Sequence, residues 1–375
     1  MNHKLLCTTA QKATSYTIEI HKDLLDQPDF LFQQLSPLGS RFVIISDKVV
    51  ADLHGNKFQK SLAQLGLKAS LFSFPNGEQN KTRATKDQLE NQLFEKGFGR
   101  DICIIALGGG VSTDLGGYLA ATYCRGVPLV MIPTSLLGMV DASIGGKTGL
   151  NVPYGKNLVG SIYQPKKVLI DPSTLQSLPL KELRNGVVEM IKHGLILDNA
   201  HFNYLNEHAD RILALDSTIL EKAILDSCCI KRRIVEQDEK EGGIRNLLNF
   251  GHTVGHALEH MTHYSLTHGE AVAIGILVES HLALQLGHLN LKDFDMILSI
   301  FKKYGLPLQL PTSPSIPDLL KGMTLDKKSL KGKPRFVMIH AIGSALTCDE
   351  AYCMPVEENV LINALNWMNN DLCCH

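Results

Sequence analysis

The histidines of this chain carry its most specific chemical pattern. His252, His256 and His260 stand at i, i+4 and i+8, so on a helix they share one face, and His263 and His268 follow, the last opening His268-Gly269-Glu270. Two imidazoles one turn apart, with a further His-Gly-Glu, suit a divalent metal, since neutral imidazole nitrogens on one face can converge on a single ion. The remaining donor should be an acid. Glu189 lies in the otherwise apolar run Val187–Lys192, with Lys192 at i+3 on the same helical face. Spacing alone leaves open which histidines are ligands, and a purely structural histidine cluster is the alternative.

A second pattern suits phosphate. The apolar run Ile102–Leu107 passes directly into Gly108–Gly117, where glycines let the backbone approach an anion and a helix N-terminus offers free N–H groups. The segment departs from G-x-G-x-x-G at Thr113, so a tight turn is the other reading. Asp47 ends an earlier apolar run, and Pro75–Lys81 supplies a turn, an acid and a lysine after another. Each taken singly reads as a surface turn. Together they fall at the carboxyl ends of predicted strands, where open α/β sheets bind ligands.

Three further segments bear charge in places that need explaining. Pro133–Gly149 is glycine-rich, with Asp141 and Lys147 as its ionisable groups, and Gly155-Lys156-Asn157 extends it. Buried, such groups need partners; they form a structural ion pair or clamp a phosphate or hydroxyl. Lys231, Asp238–Arg245 and Asn249 precede the histidine face, reading either as a solvated helix end or as anion recognition. The lysine-rich stretch Asp326–Lys333 is an exposed loop or a lid.

The elements that must position these groups fall into two halves. Arg41–Asp47, Ser70–Phe74, Ile102–Leu107, Leu129–Ile132 and Val168–Ile170 are near-continuous apolar runs, as in parallel strands covered on both faces. Amphipathic stretches such as Lys57–Leu65 and Arg83–Lys96 alternate with them, which predicts a doubly wound, Rossmann-like α/β sheet. After about Leu178 the pattern turns helical: Lys181–Ile196, Ser217–Glu236, Phe250–Met261, Glu270–Leu286 and Leu291–Tyr304, with Gly194, Gly287 and Gly305 as stops. A proline-rich connector (Pro307, Pro311, Pro314, Pro317) leads to a small ribbon, Arg335–Ile339 against Ala345–Cys348, about Gly343-Ser344. The expected domains are therefore residues 1–178, α/β, and 179–375, mainly helical.

Composition bounds the function. Over 375 residues, 37 Lys+Arg against 38 Asp+Glu give a net charge of −1, so no overall field attracts nucleic acid or an anionic membrane. Nine cysteines, odd in number and without a C-x-x-C pair, fit reduced thiols in a cytoplasm. No signal-like or membrane-spanning stretch is visible, and the apolar run Ala271–Val278 is too short to cross a bilayer.

Taken in order, N-G-E-Q-x-K-T, G-G-G-V-x-x-D-L-G-G, P-T-S-L-L-x-M-V-D-A-S-I-G-G-K-T, G-K-N-L-V-G, E-G-G-I-R-N-L-L-N-F-G-H-T-V-G-H-A-L-E and H-G-E-A-V-A-I-G resemble the 3-dehydroquinate synthase family, from about Asp47 to about Arg335. Asn76 stands where that family often has Asp, and Ile162 where it has Phe. The resemblance implies an N-terminal NAD-binding α/β domain and a helical metal domain. It implies zinc or cobalt on Glu189, His252 and His268, leaving His256 as an acid/base group. NAD would lie over Asp47; over Asn76, Gly77, Glu78, Gln79, Asn80 and Lys81; over Gly110, Val111, Ser112, Thr113 and Asp114; and over Thr134, Ser135, Lys147, Lys156, Thr174, Leu175, Gln176 and Ser177. Asp141 and Lys192 would join the catalytic groups, and Glu241 resembles the family's proton acceptor. Lys147, Asn157, Lys231, Arg245, Asn249 and Lys328 would grip a phosphorylated sugar acid. Arg125 resembles an arginine that reaches across a homodimer. The implied activity is the shikimate-pathway conversion of 3-deoxy-D-arabino-heptulosonate 7-phosphate to 3-dehydroquinate, a carbon–oxygen lyase reaction on a phosphate.

Overall fold

The computed structural model describes residues 14–262, 265–310, 312–324, 334–347 and 352–373. Its centre is a six-stranded, wholly parallel sheet: β1 (Thr17–Ile20), β2 (Arg41–Asp47), β3 (Lys68–Phe74), β4 (Ile102–Gly108), β5 (Leu129–Pro133) and, after a hairpin, β8 (Lys167–Ile170). The spatial order is β1-β8-β5-β4-β2-β3. All seven residues of β4 are buried, which explains why its sequence is continuously apolar rather than alternating. From β2 the chain first moves outward to β3, then returns to β4 on the other side. The crevice beyond the carboxyl ends of β2 and β4 is thus the topological switch point.

Two antiparallel strands, β6 (Lys147–Val152) and β7 (Gly155–Ile162), form a separate hairpin after β5. Its first strand begins inside the segment read as a glycine-rich clamp, so local composition concealed a strand. β1 was also missed; it is a four-residue edge strand with little apolar signal.

The helical half begins with Leu180–Leu197, continues through Asn199–Glu207 and Ser217–Gln237, and reaches the paired helices His252–Met261 and His268–Gln285. Gly194 does not stop the first helix, which continues to Leu197. Its missing side chain instead admits the backbone of Phe202, whose amide nitrogen would lie 2.9 Å from an added Cβ. The predicted ribbon also pairs differently. Ile339–Ala341 meets Ser344–Ala345, whereas Arg335–Phe336 pairs with Met354–Pro355, so two short ladders replace one. Cys348 and Pro311 lie outside the described residues. Among the described residues no helix is long and apolar enough to cross a membrane.

Candidate functional site at the sheet edge and the paired helices

Three side chains from three helices converge. Glu189, fully buried on Leu180–Leu197, points Oε1 toward His252 Nε2 at 3.7 Å and His268 Nε2 at 3.6 Å. Both histidines are first residues of their helices. Phe250 O lies 3.1 Å from His252 Nδ1, and this backbone acceptor selects the tautomer whose Nε2 lone pair faces Glu189. Glu189 Oε1 has no hydrogen-bond partner, an expensive state for a buried carboxylate oxygen. The donors of Glu189, His252 and His268 lie within 4.8 Å of one another. Two imidazole nitrogens and a carboxylate, with one oxygen otherwise orphaned, fit a zinc-like divalent ion. Lys192 pairs with Glu189 Oε2 and donates to Leu248 O at 2.6 Å. His256 is exposed, its ring 5.2 Å from that of His252 and 6.2 Å from that of His268. His260 stands exposed one turn further on, and His263 is not among the described residues.

The expected anion-binding groups form a second layer. Lys231 donates to Asp141 Oδ1 at 2.6 Å. Burial opposes the Asp141 carboxylate, but Lys231, Lys192 and His193 together hold its pKa below the usual carboxylate range. Glu241, in the left-handed region at φ 62°, receives Lys147 Nζ at 2.7 Å and Asn249 Nδ2 at 3.1 Å. A non-glycine residue in that region is strained, and its neighbours hold it there. Arg245 is almost fully buried; its guanidinium donates to Glu239 O at 2.5 Å and Gly145 O at 2.9 Å, while Nε has no partner. Asn157 also adopts a positive φ of 54°, its backbone N–H donating to Asn151 Oδ1 at 3.0 Å. Lys328 lies outside the described residues.

At the switch point Asp47 Oδ1 accepts from Val50 N at 3.0 Å, and Oδ2 accepts from Ser112 Oγ at 3.2 Å, tying the end of β2 to the first turn of the helix that follows β4. Gly110–Thr122 starts as a helix directly after β4 without a side-chain cap, leaving its first N–H groups, from Gly110 through Ser112, for an anion, while Thr113 N–H already donates to Gly109 O at 3.0 Å. Thr134 donates its N–H to Gly108 O at 3.0 Å, and Ser135 Oγ accepts from Gly138 N at 3.1 Å. Ser177 Oγ contacts His54 Nε2 at 2.9 Å; Thr174 and Leu175 are buried, whereas Gln176 is exposed. Lys81, expected to lie along NAD, points inward from its turn. Its side chain is buried, with Glu78 Oε1 and Asp114 Oδ2 each 3.0 Å from Nζ, so much of its charge is already neutralised. Asn80 Nδ2 donates to Asn76 O at 2.8 Å and Gln79 leans on the same carbonyl, closing the turn over Gly77.

Glu259 belongs to the constellation although sequence reasoning passed it over. It is buried, contacts His268 Nδ1 at 3.6 Å and receives Lys156 Nζ at 2.8 Å. Its position three residues after His256 was the available signal. Arg125 is exposed on the turn Tyr123–Arg125, where Cys124 and Arg125 both have positive φ.

A parallel sheet whose switch point faces a helical His/Glu cluster is the architecture of the sugar-phosphate cyclases. The 2-epi-5-epi-valiolone synthase ValA of Streptomyces hygroscopicus subsp. jinggangensis, solved with NAD+ and Zn2+ bound, superposes with TM-score 0.88 at 27% identity, covering 97% of this chain and 99% of its own. A glycerol dehydrogenase from Schizosaccharomyces pombe shares the fold alone, with TM-score 0.67 at 17% identity over 97% of this chain and 91% of its own. Within that class the chain belongs to the 3-dehydroquinate synthase family, whose N-terminal model matches residues 71–185 and whose C-terminal model matches residues 186–329. It is 43% identical to the 3-dehydroquinate synthase of Desulforamulus reducens over 331 residues, 88% of this chain and 92% of the relative. It is 42% identical to that of Vibrio atlanticus over 332 residues, 88% of this chain and 91% of the relative. The chain is accordingly an enzyme of the carbon–oxygen lyase class.

Proposed function

We propose that the cleft between the switch point and the paired helices converts 3-deoxy-D-arabino-heptulosonate 7-phosphate to 3-dehydroquinate and phosphate. The observation that carries this reading is the buried, hydrogen-bond-free Glu189 oxygen facing two imidazole nitrogens, in a chain that also offers an uncapped helix N-terminus after β4. Glu189, His252 and His268 would hold a divalent zinc or cobalt ion. Asp47, Gly110–Asp114, Thr134, Ser135, Lys147, Lys156 and Thr174–Ser177 would receive NAD. Bound there, the metal would supply Lewis acidity toward a substrate hydroxyl and the dinucleotide would supply reversible hydride exchange, with no net redox change.

The chain's own groups supply binding and proton traffic. His256, exposed beside His252 and His268, can exchange a proton with substrate oxygen at a ring nitrogen. Glu241, braced by Lys147 and Asn249, can accept a proton at its carboxylate. Lys192 fixes the Glu189 carboxylate, and Asp141 keeps the Lys231 ammonium oriented in the cleft. Lys147, Asn157, Lys231, Arg245 and Asn249 suit a substrate carrying both phosphate and carboxylate, with Lys328 assigned there from sequence alone. The unpartnered Nε of buried Arg245 favours the carboxylate-bearing heptulosonate over a sugar phosphate that lacks a carboxylate. Residues 1–178 and 179–375 would form the two domains, and exposed Arg125 would complete a partner's site in a homodimer.

Phosphate release with NAD in catalytic amount tests this. We expect release from the heptulosonate phosphate, abolished by chelation and restored by zinc or cobalt, with little turnover of sedoheptulose 7-phosphate. Stoichiometric NADH without phosphate release, or a preference for sedoheptulose 7-phosphate, would sink it.

A further inference from the structure

The two imidazoles beside Glu189 are oriented in different ways. His252 takes its orientation from local backbone, the carbonyl of Phe250 two residues earlier. His268 has a side chain at the same ring position: Glu259 Oε2, from the neighbouring helix, lies 3.6 Å from its Nδ1. The Glu259 side chain is 4% exposed, and its other oxygen receives Lys156 Nζ at 2.8 Å across 103 positions of sequence. Lys156 comes from β7, in the hairpin that follows the fifth sheet strand.

Resting on the metal reading above, we propose that Glu259 and Lys156 are positioning residues for the metal: Glu259 sets the ring orientation of His268, and Lys156 holds Glu259 in place. A carboxylate on the distal nitrogen of a ligating histidine fixes its tautomer and rotation, and loss of such partners costs about 10–100-fold in metal affinity. A carboxylate this deeply buried is costly without a counter-charge. Lys156 supplies that charge from the β6–β7 hairpin. Metal affinity therefore depends on a lysine that touches none of the three ligands.

The test is a zinc competition titration against a chromophoric chelator, on the full chain without nucleotide, repeated with cobalt to read its visible absorption bands. Glu259→Gln should weaken zinc about 10–100-fold. Lys156→Met should weaken it several-fold, Lys156→Arg should recover most of the loss, and the cobalt bands should shift in the weakened variants. In the double variant Lys156→Met should add nothing to Glu259→Gln, because both act through one contact. Lys156 is partly exposed, so its substitution does not threaten folding, and thermal unfolding of metal-free protein verifies that. Zinc affinity within twofold of the parent in Lys156→Met, tighter zinc there, or fully additive losses would each overturn the proposal. Failure of the parent chain itself to bind zinc would instead defeat the underlying metal reading.

Discussion

Gly275→Ala tests how closely the paired helices set the His/Glu cluster. Gly275 is buried on His268–Gln285 where the turn Gly251–Gly255 crosses it. An added Cβ would lie 2.9 Å from the Gly251 carbonyl carbon and 2.9 Å from Gly255 N, with the Gly251 oxygen nearer still. A carbon normally approaches a carbonyl oxygen no closer than about 3.3 Å, so the helices would have to part by about 1 Å. The turn cannot easily retreat. Gly251 is left-handed at φ 78°, and its N–H donates to Glu279 Oε2 at 2.9 Å on the same opposing helix. His252 and His268 begin those two helices, while Glu189 on a third faces both. Metal–ligand distances tolerate only about 0.2 Å, so a displacement near 1 Å exceeds what coordination absorbs. Overpacking of this kind destabilises by about 1–3 kcal/mol. The expected result is a lower Tm and zinc affinity reduced more than tenfold, read by dialysis against buffered zinc and metal analysis. Gly287→Ala is the control: it strains a φ of 73° but meets nothing within 4 Å. Unchanged zinc stoichiometry and affinity in Gly275→Ala, at an unchanged Tm, would refute the claim that this contact sets the site.

Other consequences can be measured directly. Lys81→Met leaves the half-buried Asp114 without its cation and should cost about 1–3 kcal/mol in urea unfolding; the added change Asp114→Asn should recover part of that, and no recovery would contradict the pairing argument. His201 is pushed down from its ordinary 6.5 to about 4, chiefly by burial, against the raising effect of Asp226 and Asp198. Between those values the unfolded chain binds a proton that the folded chain refuses, so stability falls as pH drops from 6.5 toward 4, by at most about 3 kcal/mol. His201→Phe should flatten that part of the profile in metal-free protein, and an equally steep profile would show that another group controls it.

The core strands were legible because each is a local apolar run, and β4 is buried along its whole length. Helix ends were read within a few residues wherever an amphipathic pattern stopped. Gly194 misled because a helix-breaking tendency of about 1 kcal/mol yields to packing, here the approach of Phe202. The hairpin of β6 and β7 escaped because glycines and mixed polarity masked its alternation. Of the site, the types and spacing of Glu189, Lys192 and the histidines marked candidates and the family resemblance implied Glu189, His252 and His268; that their donor atoms converge within 4.8 Å shows only when three helices are placed together.

The sequence by itself determined the alternation of core strands and helices followed by a helical run, the near-neutral charge and the inventory of groups able to hold a metal and an anion. These are local properties, written in periodicity and composition. Only the tertiary structure decided how those groups are spent. It buried Lys81 between Glu78 and Asp114, gave the fork of Arg245 to the carbonyls of Gly145 and Glu239, and joined Lys156 to Glu259. Ion pairs and close backbone approaches between segments a hundred residues apart leave no periodic trace in the chain. They exist because burying one charge demands another nearby, and the packed fold chooses which.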